Sequence, residues 1–413
     1  MTMTLRIATL GAQGDGIADG PKGKVFVPFS LPGETVKAIV GGERADLLSV
    51  VEPSPDRVAP PCRHFGTCGG CQLQHMERAA YLAWKRGKVV EQLARAGIDA
   101  PVTDIVACPP ASRRRVVLSA RRTPSGMLLG FNAALSNEIV PIEECPVSVP
   151  QIVEALPVLR EIAAGVCRTK DVFRLAVTAT PAGLDVAAEG SRRLEGQDRL
   201  AATRLASDLR LARLSLDGEI LIERVKPEIA IGRTIVAPPP GAFLQAVAEA
   251  EAAMAALVTG HLAKAKRVAD LFAGIGTFAL RLAERSEVHA VEGDQGALAA
   301  LERGFRFGQG LRRVTVERRD LFRRPLTFKE LNAFDGLVFD PPRSGAEDQS
   351  RQLARSDVAK VAAVSCNPVT LARDLAILVE GGYRVASVTP VDQFVWSHHV
   401  EAVALLEKPK RRR

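Results

Sequence analysis

The sequence predicts an α/β chain built from a small β-barrel, an α+β middle domain and a C-terminal doubly wound, mostly parallel sheet. Three observations carry this: short apolar runs broken by glycine turns near the start, mixed strand and helix patterns between about residues 100 and 240, and a strand-then-helix rhythm from Arg267 onward. With 413 residues and 47% hydrophobic composition the chain can bury full cores, and the divisions expected are 1–56, 57–240 and 241–413.

In the first part the apolar runs 25–27, 35–40 and 47–51 alternate with turn signals at Gly14-Asp-Gly16, Asp19-Gly-Pro21 and Leu31-Pro-Gly33. Pro53, Pro55, Pro60 and Pro61 then make an extended linker that runs into a cysteine cluster, and 81–96 has helical character. The middle part mixes strand-like runs (115–120, 173–178, 219–222) with helical ones (150–163, 197–208). A second break at Ala237-Pro-Pro-Pro-Gly241 precedes an alanine-rich stretch, 243–263, expected to be one helix. Strand signals then recur at 267–271, 287–291, 313–316, 336–339, 360–365, 383–388 and 400–406. Sheets of this kind bind ligands at the carboxyl ends of their strands.

The net charge is +8, with excess arginine at 113–115, 121–122 and 323–324 and in the tail Lys408-Pro-Lys-Arg-Arg-Arg413, which favours a polyanionic partner. The opening residues lack the make-up of a signal peptide and no apolar run spans a bilayer, so the expected setting is the cytoplasm, away from membranes. The seven cysteines, three of them crowded into Cys62, Cys68 and Cys71, point to metal or redox chemistry rather than a disulfide framework.

Four motifs fall at successive strand ends. Asp270-Leu-Phe-Ala-Gly274-Ile-Gly276-Thr-Phe278 is a strand, a tight glycine turn and a helix start, where the backbone can approach a ligand. Glu292 ends the next strand, in position to accept from ribose hydroxyls. Asp320 follows the third and could meet an adenine amino group, and Asp340-Pro-Pro-Arg343 follows the fourth. The glycine turn alone also matches a dinucleotide fingerprint and leaves NAD as a competitor. The two later motifs tilt the reading toward S-adenosylmethionine. Cys366, in Val364-Ser-Cys-Asn-Pro368, lies at a fifth strand end and is a candidate nucleophile for alkylating a ring carbon that must first be activated by covalent addition.

In Cys62-x5-Cys68-x2-Cys71 the intervening Gly66, Gly69 and Gly70 allow the sharp turns a compact thiolate centre needs, and Cys145, followed by Pro146, is the best fourth ligand. Cys108 and Cys167 read as buried apolar residues. The spacing favours a 4Fe-4S centre, with four-thiolate zinc as the alternative.

Taken together, Cys366 in Ser-Cys-Asn-Pro, Asp340 in Asp-Pro-Pro-Arg, Glu401 in His-His-Val-Glu-Ala-Val and the four cysteines resemble the RNA uridine-5-methyltransferase family, in particular its iron-sulfur members that act on 23S ribosomal RNA. The likeness covers essentially the whole chain. It implies a TRAM-like (OB-like) barrel, an iron-sulfur central domain and a Rossmann-like methyltransferase domain. It further implies that Gln245, Phe272, Thr277, Glu292 and Asp320 line an S-adenosylmethionine site with Asp340 beside the reacting centre, that Cys366 is the nucleophile and that Glu401 is the proton-abstracting base. The expected partner is RNA, foremost 23S rRNA, and the expected state is a monomer. The chain departs from the family pattern at Thr277, at Val247 and across Gln393-Phe-Val-Trp-Ser-His398. Competing readings are methylation of a tRNA uridine, methylation of RNA cytosine, and a non-catalytic iron-sulfur RNA-binding protein.

Overall fold

The computed structural model describes residues 1–409, so 410–413 of the basic tail lie outside the described residues. Strands β1 (Thr2–Leu10), β2 (Gly16–Gly20), β3 (Gly23–Val27), β4 (Thr35–Gly41) and β5 (Arg44–Glu52) form a closed barrel in the order β1-β2-β3-β5-β4. Alternation along these strands turns Leu5, Ile7, Val25, Val27, Val36 and Ala38 inward, which is the period-two logic of a half-buried strand. The proline-rich linker does not leave the barrel freely. Arg57 returns to it, pairing with the fully buried Glu34 carboxylate and donating to the Phe29 carbonyl at 2.8 Å.

Strands β6 (Arg115–Thr123), β7 (Gly126–Asn132), β8 (Ile139–Pro141), β9 (Phe173–Thr180), β10 (Gly183–Glu189), β11 (Arg213–Leu216) and β12 (Glu219–Glu223) make a mixed sheet in the order β12-β11-β10-β9-β6-β7-β8. The single helix expected over 150–163 is instead two, Pro150–Glu154 and Leu156–Val166. Pro157 supplies the reason, since it lacks the amide needed inside a continuous helix and is tolerated only in a first turn. A hairpin of β13 (Ile229–Ile231) and β14 (Thr234–Val236) then leads into the last core.

That core surrounds β15 (Arg267–Leu271), β16 (Glu287–Glu292), β17 (Val314–Arg318), β18 (Gly336–Phe339), β19 (Lys360–Ser365), β20 (Arg384–Val391) and β21 (Glu401–Glu407), ordered β17-β16-β15-β18-β19-β21-β20. The first five are parallel, and β21 runs antiparallel between β19 and β20. Because β16 and β18 flank β15 on opposite sides, the chain reverses direction of winding there and opens a crevice at the carboxyl ends.

Two features depart from the sequence reading. The alanine-rich helix begins only at Ala248 and ends at His261. Residues 243–247 precede it in extended form, held where the Arg114 amide donates to the Ala246 carbonyl at 2.9 Å. The second departure concerns the helix Arg78–Arg95, which places Val89 and Leu93 in the core of the last sheet, while the amides of Thr103 and Val106 donate to the Val388 and Pro390 carbonyls at 2.9 Å. Residues from just beyond the cysteine cluster are thus built onto the C-terminal sheet.

Candidate active site

Five strand ends meet at the crevice, and each carries one of the expected residues. After β15 the chain bends sharply: Gly274 and Gly276 have φ of +53° and +97°, and a Cβ on Gly276 would stand 2.9 Å from Leu280 and Leu301. Phe272, a non-glycine residue at φ +60°, is held in that strained conformation beside Phe322, with ring centroids 5.4 Å apart. Glu292 is half-buried and already engaged. Its carboxylate accepts from the Gly274 amide at 2.9 Å and from the Gly293 and Asp294 amides at 2.6 and 2.8 Å, so it ties the glycine turn to the end of β16. Asp320 is exposed and accepts from the amide of Phe322 at 3.0 Å, so it is joined to the loop whose ring packs on Phe272. Thr277 is half-buried in the same turn, its carbonyl accepting from Arg281 at 2.7 Å. The glycine turn, Phe272, Thr277, Glu292, Asp320 and Phe322 form one side of the crevice.

The other wall gathers Gln245, Asp340, Cys366 and Glu401. In the register of β19 and β21, Ser365 pairs with Ala402, so Cys366 and Glu401 are the next residues across from one another. Asp340 follows β18, on the neighbouring side of β19. The Gln245 side-chain amide donates to Asp340 at 3.0 Å, and its oxygen accepts from Gln393 at 2.8 Å. Gln393 in turn donates to the Glu401 carboxylate at 3.1 Å. Gln245, Gln393 and Glu401 are all buried.

Burial pushes the Asp340 carboxyl up to about 7, against the opposing hydrogen bond from Gln245. Glu401 rises to about 8, through burial first and the nearby Asp340 second, with the Gln393 hydrogen bond pulling the other way. The Cys366 thiol is pushed up to about 11 by burial, then by Glu401 and Asp340, and Arg343 is the cation that opposes this. A second source of positive potential adjoins it. Asn367 caps the helix Pro368–Glu380, accepting from the Val369 amide at 3.2 Å, so Cys366 immediately precedes a helix N-terminus.

Two functional candidates here were not singled out from the sequence. Arg343 stood in view within Asp-Pro-Pro-Arg, and its carbonyl is bound by the Asn367 side chain at 3.0 Å, which keeps the two loops together. Gln393 was seen only as a departure from a pattern, because nothing in its neighbours announces partners 148 residues away. His399 contacts Arg343 at 3.1 Å and His398 lies 3.3 Å from the Gln72 side chain. Burial pushes both imidazoles down, to about 3 and about 4, so they stay neutral.

Cys62, Cys68, Cys71 and Cys145 line one cavity of about 380 Å³, together with Arg113 and Phe394. Burial pushes the Cys71 thiol up to about 12, and burial also raises Cys62 and Cys68, each with added repulsion from the Cys145 thiol. Among the described residues no group of three or more His, Cys, Asp or Glu side chains is drawn into metal-holding geometry, so the cavity gathers the expected donors without closing them around a point. Cys108 and Cys167 are buried among apolar residues, as read from the sequence. No helix among the described residues is long and apolar enough to cross a membrane.

A family model described as tRNA (uracil-5-)-methyltransferase matches residues 311–409, the stretch that holds Asp320, Asp340, Cys366 and Glu401. Over its whole length the chain is 62% identical to an RNA methyltransferase of Mesorhizobium japonicum, covering 100% of both. It is 36% identical to the 23S rRNA (uracil(1939)-C(5))-methyltransferase RlmD of Halomonas elongata, covering 98% of this chain and 89% of the relative. The crystal structure of the Pyrococcus abyssi tRNA (uracil-54, C5)-methyltransferase in complex with S-adenosyl-L-homocysteine shares the fold at a TM-score of 0.74 and 24% identity, over 98% of this chain and 100% of that one.

Proposed function

The chain belongs to the RNA uracil-5-methyltransferase family and is an RNA methyltransferase, and from that premise we propose that it methylates carbon 5 of a uridine in 23S rRNA with S-adenosylmethionine as methyl donor. The observation that carries this reading is the facing of Cys366 and Glu401 across β19 and β21, with Asp340 one strand away. A nucleophile and a base on opposite sides of one small space are what substitution at an unreactive ring carbon requires.

Uracil carbon 5 is too weak a nucleophile to take a methyl group unaided. The Cys366 thiolate adds to carbon 6, which places enolate character at carbon 5. Bound S-adenosylmethionine supplies the methyl group as a sulfonium substituent. The Glu401 carboxylate then removes the carbon 5 proton, the carbon 6–sulfur bond breaks, and the thiolate leaves with the electron pair it brought. Arg343 and the N-terminus of the helix Pro368–Glu380 stabilise the thiolate at both ends of this cycle. A base raised by burial into the neutral range is strong enough to take a carbon-bound proton and can be unprotonated at working pH. The target base must leave its stack to reach these groups.

For the methyl donor, the residues fit an adenosine ligand. The glycine turn leaves open space above Gly274, where an added Cβ would meet nothing within 4 Å. Phe272 and Phe322 offer apolar ring faces, and Glu292 and Asp320 lie at the ends of the next two strands. Gln245 and Asp340 border the reacting side. The four cysteines fit a 4Fe-4S cluster by the chemistry of the donor set: four sulfurs line one cavity, and the cationic core would offset the repulsion among them once they ionise. Such a cluster, held by Cys62, Cys68, Cys71 and Cys145, would brace the turn whose Gln72 and Leu73 amides donate to the Trp396 carbonyl at 2.9 and 3.0 Å. The choice of 23S rRNA rests on the Halomonas relative, and a tRNA uridine is the alternative that the Pyrococcus structure suggests.

The test is to incubate the protein with methyl-labelled S-adenosylmethionine and unmodified 23S rRNA or tRNA transcripts, then identify the labelled nucleoside by mass spectrometry. Labelled 5-methyluridine in 23S rRNA is expected. Labelled 5-methylcytidine, or label confined to tRNA, overturns the substrate assignment.

A further inference from the structure

The Gln393 side chain is 1% exposed and belongs to none of the roles above, yet it touches the groups on both sides of the reaction. Its amide orientation is fixed by what surrounds it. The Val247 backbone amide can only donate, and it faces the Gln393 oxygen at 3.5 Å. The Gln393 nitrogen is left with two hydrogens, and two acceptors meet them: the Gln245 oxygen at 2.8 Å and a Glu401 carboxylate oxygen at 3.1 Å. With its oxygen so engaged, Gln245 turns its own nitrogen to Asp340 at 3.0 Å. One polarity therefore runs through the whole set, with neutral amides donating to both carboxylates and nothing in it donating back.

The residue before it explains why this arrangement holds its place. Asp392 is fully buried and clamped by Lys85 at 2.6 Å, the Tyr81 hydroxyl at 2.7 Å and Arg78 at 2.9 Å. Gln393 thus hangs from an anchored backbone, and its side chain cannot swing away without leaving two buried polar ends unpaired.

We propose that Gln393 is a positioning residue that holds one Glu401 oxygen as an acceptor, leaves the other free for the carbon 5 proton, and through Gln245 ties the geometry of the base to that of Asp340. This deepens the functional reading above and rests on it. Because the donated hydrogen bonds favour the ionised carboxylates, removing them should keep Glu401 protonated to higher pH and slow proton abstraction more than addition or methyl transfer.

The test uses the full chain with a substrate RNA, comparing wild type, Gln393→Met, Gln393→Glu and Glu401→Gln. For Gln393→Met, turnover should fall about 10- to 100-fold, the worth of hydrogen bonds to a charged group, with KM for S-adenosylmethionine within about threefold of wild type. Its pH–rate midpoint should move upward, and the share of RNA bound covalently to protein on denaturing gels should rise. Gln393→Glu should move the midpoint further, since it sets a like charge beside Glu401, and it provides the same readout should the methionine variant fold poorly. Glu401→Gln should accumulate the adduct most strongly. If Glu401→Gln traps adduct while both Gln393 variants keep the wild-type midpoint and adduct share, Gln393 is merely packed there and the proposal fails alone. If Glu401→Gln releases product normally, the base assignment falls and this proposal falls with it.

Discussion

The thiol of Cys366 and those of Cys62, Cys68 and Cys71 are raised by different neighbours. In the cysteine cavity burial acts first and the remaining pressure comes from the other thiols, so each ionisation makes the next harder. At Cys366 the pressure after burial comes from two carboxylates, and Arg343 and a helix N-terminus stand against it. The first arrangement suits a permanent centre that neutralises four sulfurs together. The second suits an anion formed for one step and then released, because the groups that oppose it can themselves change protonation.

Removing the reactive sulfur should test this contrast most severely. Cys366→Ala should lower methyl incorporation on the order of 10⁴-fold or more while leaving the melting temperature close to wild type, as expected for a nucleophile with no stand-in. Residual turnover near the wild-type rate would place the nucleophile elsewhere. Next in size is Cys71→Ser, which should abolish iron and sulfide content in anaerobically purified protein and lower the melting temperature by several degrees. Zinc at one equivalent per chain, with no iron, would redirect the assignment to a four-thiolate zinc site.

Arg343→Met should cost about 10- to 100-fold in rate, the range for losing a hydrogen-bonded charge, and should slow iodoacetamide alkylation of Cys366 at fixed pH while leaving the other thiols unchanged. Equal slowing at every thiol would instead indicate a general structural effect. The smallest effect expected is on stability. Asp340 and Glu401 are raised from 3.8 and 4.5 to about 7 and about 8, so between about pH 4 and pH 8 the folded chain binds more protons than the unfolded one. The share of stability these two groups supply should therefore be fully present below the lower values and decline as pH rises through the upper ones, read as a fall across this window in the melting temperature of wild type relative to Asp340→Asn combined with Glu401→Gln. A relative melting temperature that rises across this window would contradict the sign.

The same contrast explains what the sequence disclosed. The parallel sheet was legible because each of its strands is a short run containing valine and followed by a helix, and Gly274, Gly276, Asp340 and Cys366 stand just beyond the ends of those runs. The late start of the helix at Ala248 was not legible. Alanine-rich composition favours a helix from residue 243 onward, and tertiary contacts, among them those to Arg113, Arg114 and Gln393, hold 243–247 extended. Gln393 and the docking of 78–106 on β20 were hidden for the same reason, since Gln393 depends on a partner 148 residues away and the docking on pairs such as Thr103 and Thr389, 286 residues apart. Glu292 was legible as a strand-end acid, but its hold on the Gly274 amide depends on backbone direction that composition does not report.

The clamp on Asp392 bears on how this protein can be cut. A fragment starting at the alanine-rich helix would contain every reacting group named above and still lack Arg78, Tyr81 and Lys85. Such a fragment would bare the apolar core that Val89 and Leu93 cover and strip Asp392 of all three of its partners. The transferase half is therefore not portable, and any minimal enzyme, fusion or chimera drawn from it must carry its N-terminal helix along.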